Sequence, residues 1–418
     1  MRIAMLAAGS RGDYQPVVAV GRALAARGHD VGVTVTSDYV DLVRAGGLRP
    51  EEVRFDLMER YREDVLSGEG MPDAWEGQLG MVGEMARVLA PEVTRTLHDL
   101  SPRYDGFVTT ALTATWPGLF LDGPRRRQVL MMFVPALPSV WGDSSLFSVE
   151  EGRSWRNLAA GLRVLRSARG AVAPRGADAA GVDVGVRARA RASWQMMTAP
   201  AFVAMTPQLV TPRRVGGRDV RVVGYPVAPL PAGSSLPAGV EAFLAAGSPP
   251  VFVGLGSHTL PAVRDALRSA VGAALSLGHR VLVQEGSGLE DEGGHGDHVA
   301  FVGDAPHELL MPRTAAVVSH AGAGTSVTAL RAGRPQVPVP FTMDQPFLAR
   351  RLHEIGVAGT PVPAGVAAGA DGERRLRASL EEALAPEVVA RAAEVAEAVR
   401  QEDGVAGAVA EIERALLR

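Results

Sequence analysis

Residues 315–345 read Ala315-Ala-Val-Val-Ser-His320-Ala-Gly-Ala-Gly-Thr325-Ser-Val-Thr-Ala-Leu330-Arg-Ala-Gly-Arg-Pro335-Gln-Val-Pro-Val-Pro340-Phe-Thr-Met-Asp-Gln345. An apolar strand ends at Ser319-His320, a glycine-rich turn follows, and a helical run passes Leu330-Arg331 before a second apolar strand, Gln336 to Phe341. Strand, glycine turn, helix and strand form the repeating unit of a parallel α/β sheet. A glycine turn feeding a helix N-terminus makes an anion site, because unpaired backbone N–H groups point outward and the helix dipole favours negative charge. Gly322 and Gly324, with Ala323 between them, let the backbone approach a phosphate, while His320 and the Thr325 hydroxyl add side-chain donors. Asp344-Gln345 follows the second strand at the start of the next helix, Gln345 to Ile355. Ligands of open α/β sheets bind outside the carboxyl ends of the strands. Phosphate donors at one strand end and a carboxylate–carboxamide pair at the next describe a site for a nucleotide sugar. The plainer role for Asp344 is capping its helix.

The same rhythm extends outward. Upstream lie a strand at Val251 to Leu255, a helix from Ala262 to Leu277 and a strand at Arg280 to Gln284. The chain opens with a strand at Ile3 to Ala8. A helix from Pro16 to Gly28 and a strand at Val31 to Thr36 complete a βαβ unit, and further strands are expected at Tyr104 to Thr110 and Gln128 to Pro135. Two helix-rich stretches, Arg54 to Leu100 and Trp141 to Met197, carry many Met, Trp, Phe and Leu residues. They are expected to wall an acceptor site that includes Trp141, the alternative being ordinary core. A Pro- and Gly-rich stretch at 221–240 reads as a linker. The expectation is an α/β protein with two Rossmann-like domains, 1–220 and 241–400. A terminal helix, 401–418, follows, and its return to the first domain is left open.

Composition narrows the possibilities. Hydrophobic residues make up 47% and charged residues 21% of the 418, as in globular domains. The formal net charge is −3, and all basic side chains are arginine. No basic block with interleaved aromatics speaks for nucleic acid. With no cysteine, disulfides, thiolate nucleophiles and cysteine metal sites are excluded. No segment approaches ~20 uninterrupted apolar residues, and Met1 to Ala8 is too short for a signal h-region, so a cytoplasmic protein without integral membrane contact is expected.

His320-Ala-Gly-Ala-Gly-Thr325, Arg331-Ala-Gly-Arg-Pro-Gln336 and Asp344-Gln345-Pro346 together resemble the donor-binding signature of the UDP-glycosyltransferase superfamily. The likeness is greatest to its bacterial branch acting on antibiotics, sterols and other lipids. Asp304-Ala-Pro-His307, Val253-Gly-Leu-Gly-Ser257 and Gly9-Ser-Arg-Gly-Asp-Tyr-Gln-Pro16 resemble other family segments, in order and spacing. The resemblance implies a GT-B fold, two Rossmann-like domains facing each other across a cleft, and inverting, metal-independent transfer without a cofactor. It places His320 at the α-phosphate and the Gly322-to-Thr325 turn at the β-phosphate. Asp344 and Gln345 would hold the sugar hydroxyls, with Ser257 near the diphosphate and His307 near the base. A Trp that plant members carry is replaced by Asp304, so base recognition differs.

Inverting transfer requires the acceptor hydroxyl to lose its proton as it attacks. Residues 9 to 16 contain no His, and His29 sits in a turn, so Asp13 is the titratable acceptor of that loop. Asp13, beside Gly12, is the expected base and acceptor contact; its alternative role is a helix cap. The expected partners are a dTDP- or UDP-linked hexose or deoxyhexose, with dTDP slightly favoured, and a small apolar aglycone. The oligomer is expected to be a monomer or homodimer. Competing readings are a non-catalytic GT-B partner of an active transferase and a nucleotide-sugar epimerase. A dehydrogenase is disfavoured because Gly9 to Gly12 lacks the G-x-G-x-x-G order.

Overall fold

A computed structural model of the chain describes residues 1–53, 92–93, 95–120, 127–150, 152–172, 186–211, 220–231, 233–256, 261–286, 288–290 and 296–417. The chain forms two compact units, Met1–Ala228 with Glu402–Arg418, and Pro229–Gln401.

The first unit is built on a parallel sheet of seven strands: β1 (Arg2–Leu6), β2 (Asp30–Thr36), β3 (Arg49–Val53), β4 (Gly106–Thr109), β5 (Arg127–Met132), β6 (Ala201–Val203) and β7 (Arg221–Val222). Their spatial order is β3-β2-β1-β4-β5-β6-β7. Ile3 of β1 pairs with Val31 on one side and Gly106 on the other. Strands covered on both faces carry uninterrupted apolar runs rather than alternation, and Ile3 to Leu6 are buried accordingly. The chain leaves β1 toward β2 and β3, then crosses back to β4. That reversal puts the topological switch point, where such sheets bind ligands, at the carboxyl ends of β1 and β4.

The first helix departs from the sequence expectation. It runs Arg11–Ala26, so Arg11-Gly12-Asp13 form its first turn and Pro16 lies inside it. Proline at that depth leaves the Gly12 carbonyl without its helical donor. Gly12 is exposed, so its carbonyl is open to solvent, and it has no Cβ to crowd the ring. The stretch read as linker, 221–240, begins with β7 and ends with the start of the helix Ala238–Ala245. The terminal helical stretch is two helices, Pro386–Arg400 and Gly404–Leu416, and the second belongs to the first unit. Ala408, Val409, Ile412 and Leu416 join the core formed by β1, β2, β5 and the first helix. Arg27 grips Glu413 with two bonds of 2.8 Å, and His29 lies 3.1 Å from the same carboxylate.

The second unit has a five-stranded parallel sheet: β8 (Val251–Gly254), β9 (Val281–Gln284), β10 (Val299–Val302), β11 (Ala316–Ser319) and β12 (Gln336–Pro338), in the order β10-β9-β8-β11-β12. It repeats the winding of the first, and its switch point lies at the carboxyl ends of β8 and β11. Ser319 there pairs with Gly254.

Candidate active site

At the end of β11, the Ser319 hydroxyl accepts the Ala321 N–H at 3.2 Å and bends the chain out of the sheet. Ala321 adopts φ 61°, a region that disfavours a side chain, while buried completely. Gly322 then caps the helix Ala323–Ala332 with no side chain to offer its amides. The first amide with a helical acceptor is that of Ser326, bonded to the Gly322 carbonyl at 2.9 Å. The amides of Ala323, Gly324 and Thr325 are therefore the donors of this helix end. The His320 ring lies directly over the glycine: a Cβ on Gly322 would sit 2.3 Å from its Nε2. Glycine here lets an imidazole and a row of backbone N–H groups share one small space.

The His320 ring also approaches Phe341, 6.0 Å between centroids, which ties the turn after β11 to the loop after β12. In that loop the Gln345 Oε1 accepts the N–H groups of Phe341 at 3.0 Å and Thr342 at 3.1 Å. Met343 adopts φ 54°. Among the described residues, Met343 and Ala321 are the two non-glycine residues with positive φ, and both sit on this sheet edge. Asp344 occupies the N-cap of the helix Gln345–Glu354 by position, yet its side chain makes no capping bond to that helix. His307 begins the short helix His307–Leu310 after β10 and meets Phe252 of β8 edge-on, 5.4 Å between rings. Ser257 lies outside the described residues. The edge thus gathers His320, Gly322, Ala323, Gly324, Thr325, Asp344 and Gln345 on two neighbouring strand ends, with His307 on the far side of β8.

In the first unit, Asp13 stands third in its helix. Its Oδ2 accepts the Ser10 N–H at 2.8 Å and the Ser10 hydroxyl at 3.1 Å, so it does cap that helix. The carboxylate also folds over Gly9, whose φ is 126° and where a Cβ would fall 2.3 Å from Oδ2. Burial pushes the Asp13 carboxyl up to about 6, against the pull of the Ser10 hydrogen bonds. A carboxylate with that value is a far better proton acceptor at neutral pH than a solvated one. Trp141 is half-buried, with the Arg153 guanidinium 5.9 Å from its ring and its N–H bonded to the Ser139 hydroxyl at 3.1 Å.

The family description "Erythromycin biosynthesis protein CIII-like, C-terminal domain" matches residues 268–414. Over 438 aligned residues the chain is 32% identical to the O-mycaminosyltylonolide 6-deoxyallosyltransferase of Streptomyces fradiae, covering 99% of this chain and 97% of that enzyme. This protein belongs to the UDP-glycosyltransferase superfamily. It falls in the bacterial antibiotic branch, with likeness to the sterol enzymes: it is 26% identical to a sterol 3-beta-glucosyltransferase of Arabidopsis thaliana, over 98% of this chain and 64% of that one. The crystal structure of the glycosyltransferase VinC in complex with dTDP superposes with TM-score 0.67 at 21% identity, over 100% of each chain. The two parallel sheets are those of the GT-B class.

In this glycosyltransferase, Asp13, Gly12 and Trp141 belong to the first unit and the glycine turn after His320 to the second. Phe341, Thr342 and Met343 were not among the residues singled out from sequence, although they shape the loop that carries Asp344. No sequence signal marks a left-handed Met, since such positions usually advertise themselves as Gly, Asn or Asp. Among the described residues no group of three or more His, Asp or Glu side chains is arranged to hold a metal ion, and no helix is long and apolar enough to cross a membrane.

Proposed function

We propose that this glycosyltransferase moves a hexose or deoxyhexose from a nucleoside diphosphate, dTDP before UDP, to a hydroxyl of a small apolar natural-product aglycone, with inversion and without a metal. The observation that carries the reading is the glycine turn under His320 at the β8/β11 switch point. Three backbone amides, a helix dipole and an imidazole converge there on space that a Cβ would fill. The dTDP bound by VinC and the 6-deoxyallosyl group in the name of the Streptomyces relative support a thymidine-linked deoxysugar.

In this scheme His320 donates to the α-phosphate, and the amides of Gly324 and Thr325 to the β-phosphate. Asp344 accepts from sugar hydroxyls. Ser257 and His307 lie toward the diphosphate and the base, while Gly12 and Trp141 contact the acceptor. Asp13 takes the proton from the acceptor hydroxyl as its oxygen forms a bond to the anomeric carbon. The carbon–phosphate oxygen bond breaks from the opposite face, and the nucleoside diphosphate leaves with the electron pair. Its charge is met at the helix end, which is electrostatic stabilisation by a preorganised anion site. That route gives the leaving group a partner without a divalent cation.

A panel of nucleotide sugars and bare nucleotides scored by thermal shift tests the reading. A ligand at 100 times its Kd stabilises by about 2.7 kcal/mol, a clear shift in melting temperature. dTDP and dTDP-hexoses are expected to shift the wild type, in EDTA as well as magnesium. An unchanged melt with every nucleotide would remove the proposal.

A further inference from the structure

We propose that Gln345 is a positioning residue: its carboxamide folds the loop after β12 and thereby presents Asp344, rather than serving chiefly as a sugar contact. The inference rests on the reading of Asp344 as a sugar-binding group. The chain must turn sharply between β12 and the helix Gln345–Glu354, and that turn is pinned by one side chain. Gln345 Oε1 accepts the N–H groups of Phe341 and Thr342, while the Gln345 N–H returns to the Thr342 carbonyl at 3.1 Å. Gln345 is itself only 6% exposed, so these bonds are made in a dry setting where losing the acceptor strands two donors. A residue such as Met343 holds a left-handed φ only where its surroundings over-determine it, and the Gln345 bonds immediately before it supply that constraint. What the strained turn delivers is Asp344, at a helix N-terminus but not turned onto the helix amides. With Oε1 committed to the loop, only Nε2 is left for a substrate hydroxyl.

Two substitutions separate the roles. Gln345→Met keeps the length and removes the acceptor; Gln345→Glu keeps an acceptor and removes the NH₂ donor. In the ligand-free full chain, amide exchange at Phe341 and Thr342 is expected to accelerate about tenfold in Gln345→Met and to recover most of its protection in Gln345→Glu. With a dTDP-hexose as the probe, Gln345→Met is expected to raise donor KM about tenfold alone and by less than about twofold in an Asp344→Asn background, because a residue acting through Asp344 loses its effect with it. Unaltered exchange in Gln345→Met, or penalties that multiply in the double variant, would overturn the assignment. A wild type that binds no nucleotide sugar would instead sink the functional reading, and the exchange result would still decide what holds the loop.

Discussion

In the proposed scheme Asp13 carries two duties, helix cap and proton acceptor, that pull its proton in opposite directions. Burial holds its carboxyl near 6 in the folded chain, above an ordinary value of 3.8. Between those values the folded state binds more protons than the unfolded, so stability from this group falls as pH rises through the window and is lost in full above about 6. Asp13→Asn has no such slope: its melting temperature, measured relative to wild type, is expected to rise between about pH 4 and pH 7. Its turnover is expected to drop ~10²–10⁴-fold with dTDP still bound, and the acid limb of the wild-type kcat/KM profile near pH 6 to disappear. Wild-type turnover in that variant would end the role assigned to Asp13. The turn under His320 offers a cleaner steric test. Gly322 has φ −65°, which alanine adopts readily, so Gly322→Ala adds only the Cβ that would meet His320 Nε2 at 2.3 Å. Affinity for dTDP is expected to fall ~10–100-fold by titration calorimetry, with the melting temperature of the free protein nearly unmoved. Glycines of this turn could be read from sequence, since the proposed approach of backbone to phosphate calls for them. The left-handed Ala321 and Met343 could not, because nothing in either residue type announces that backbone.

Elements were legible in proportion to how completely they are buried. The central strands β1, β8 and β11 are continuous apolar runs, and their placement in a parallel sheet followed directly. β7 is two residues long and β6 three, too short to show any period; β3 carries Glu51 and Glu52 at an edge, and β10 alternates weakly. Pro16 reads as a helix start because the first turn is its usual home, whereas the turn before it, Arg11-Gly12-Asp13, is already helical. Glycines in helices give a paired test of element packing. A Cβ on Gly404, at the head of the last helix, would lie 2.4 Å from the backbone carbon and oxygen of Tyr225, and backbone cannot step aside as a side chain can. Gly404→Ala is expected to cost more than about 2 kcal/mol. Gly365, in the helix Ala364–Ala367, has nothing within 4 Å. Gly365→Ala is expected to be neutral or to stabilise by up to ~1 kcal/mol. Chemical denaturation of the two variants, read as midpoint shifts at constant slope, checks both.

At the level of the whole chain, the motif order announced two α/β halves, but no residue in 401–418 says which half claims the last helix. Ala408, Val409, Ile412 and Leu416 make an apolar stripe that would suit any core, and the choice is made by shape and by Glu413 meeting Arg27 and His29. Truncation after Gln401 is expected to abolish the cooperative melt of Met1–Ala228 while limited proteolysis still yields a resistant fragment beginning near Pro229. A truncated protein that melts as one intact unit would contradict the role given to this helix. The arrangement also imposes a timetable on biosynthesis. The sheet of Met1–Ala228 is completed by Glu402–Arg418, and the whole of Pro229–Gln401 emerges in between. At ~5–20 residues per second, synthesis of Pro229–Gln401 alone adds about 10–35 s during which β1 and β5 keep an apolar face uncovered, so this sheet is the part of the chain that most needs chaperone cover.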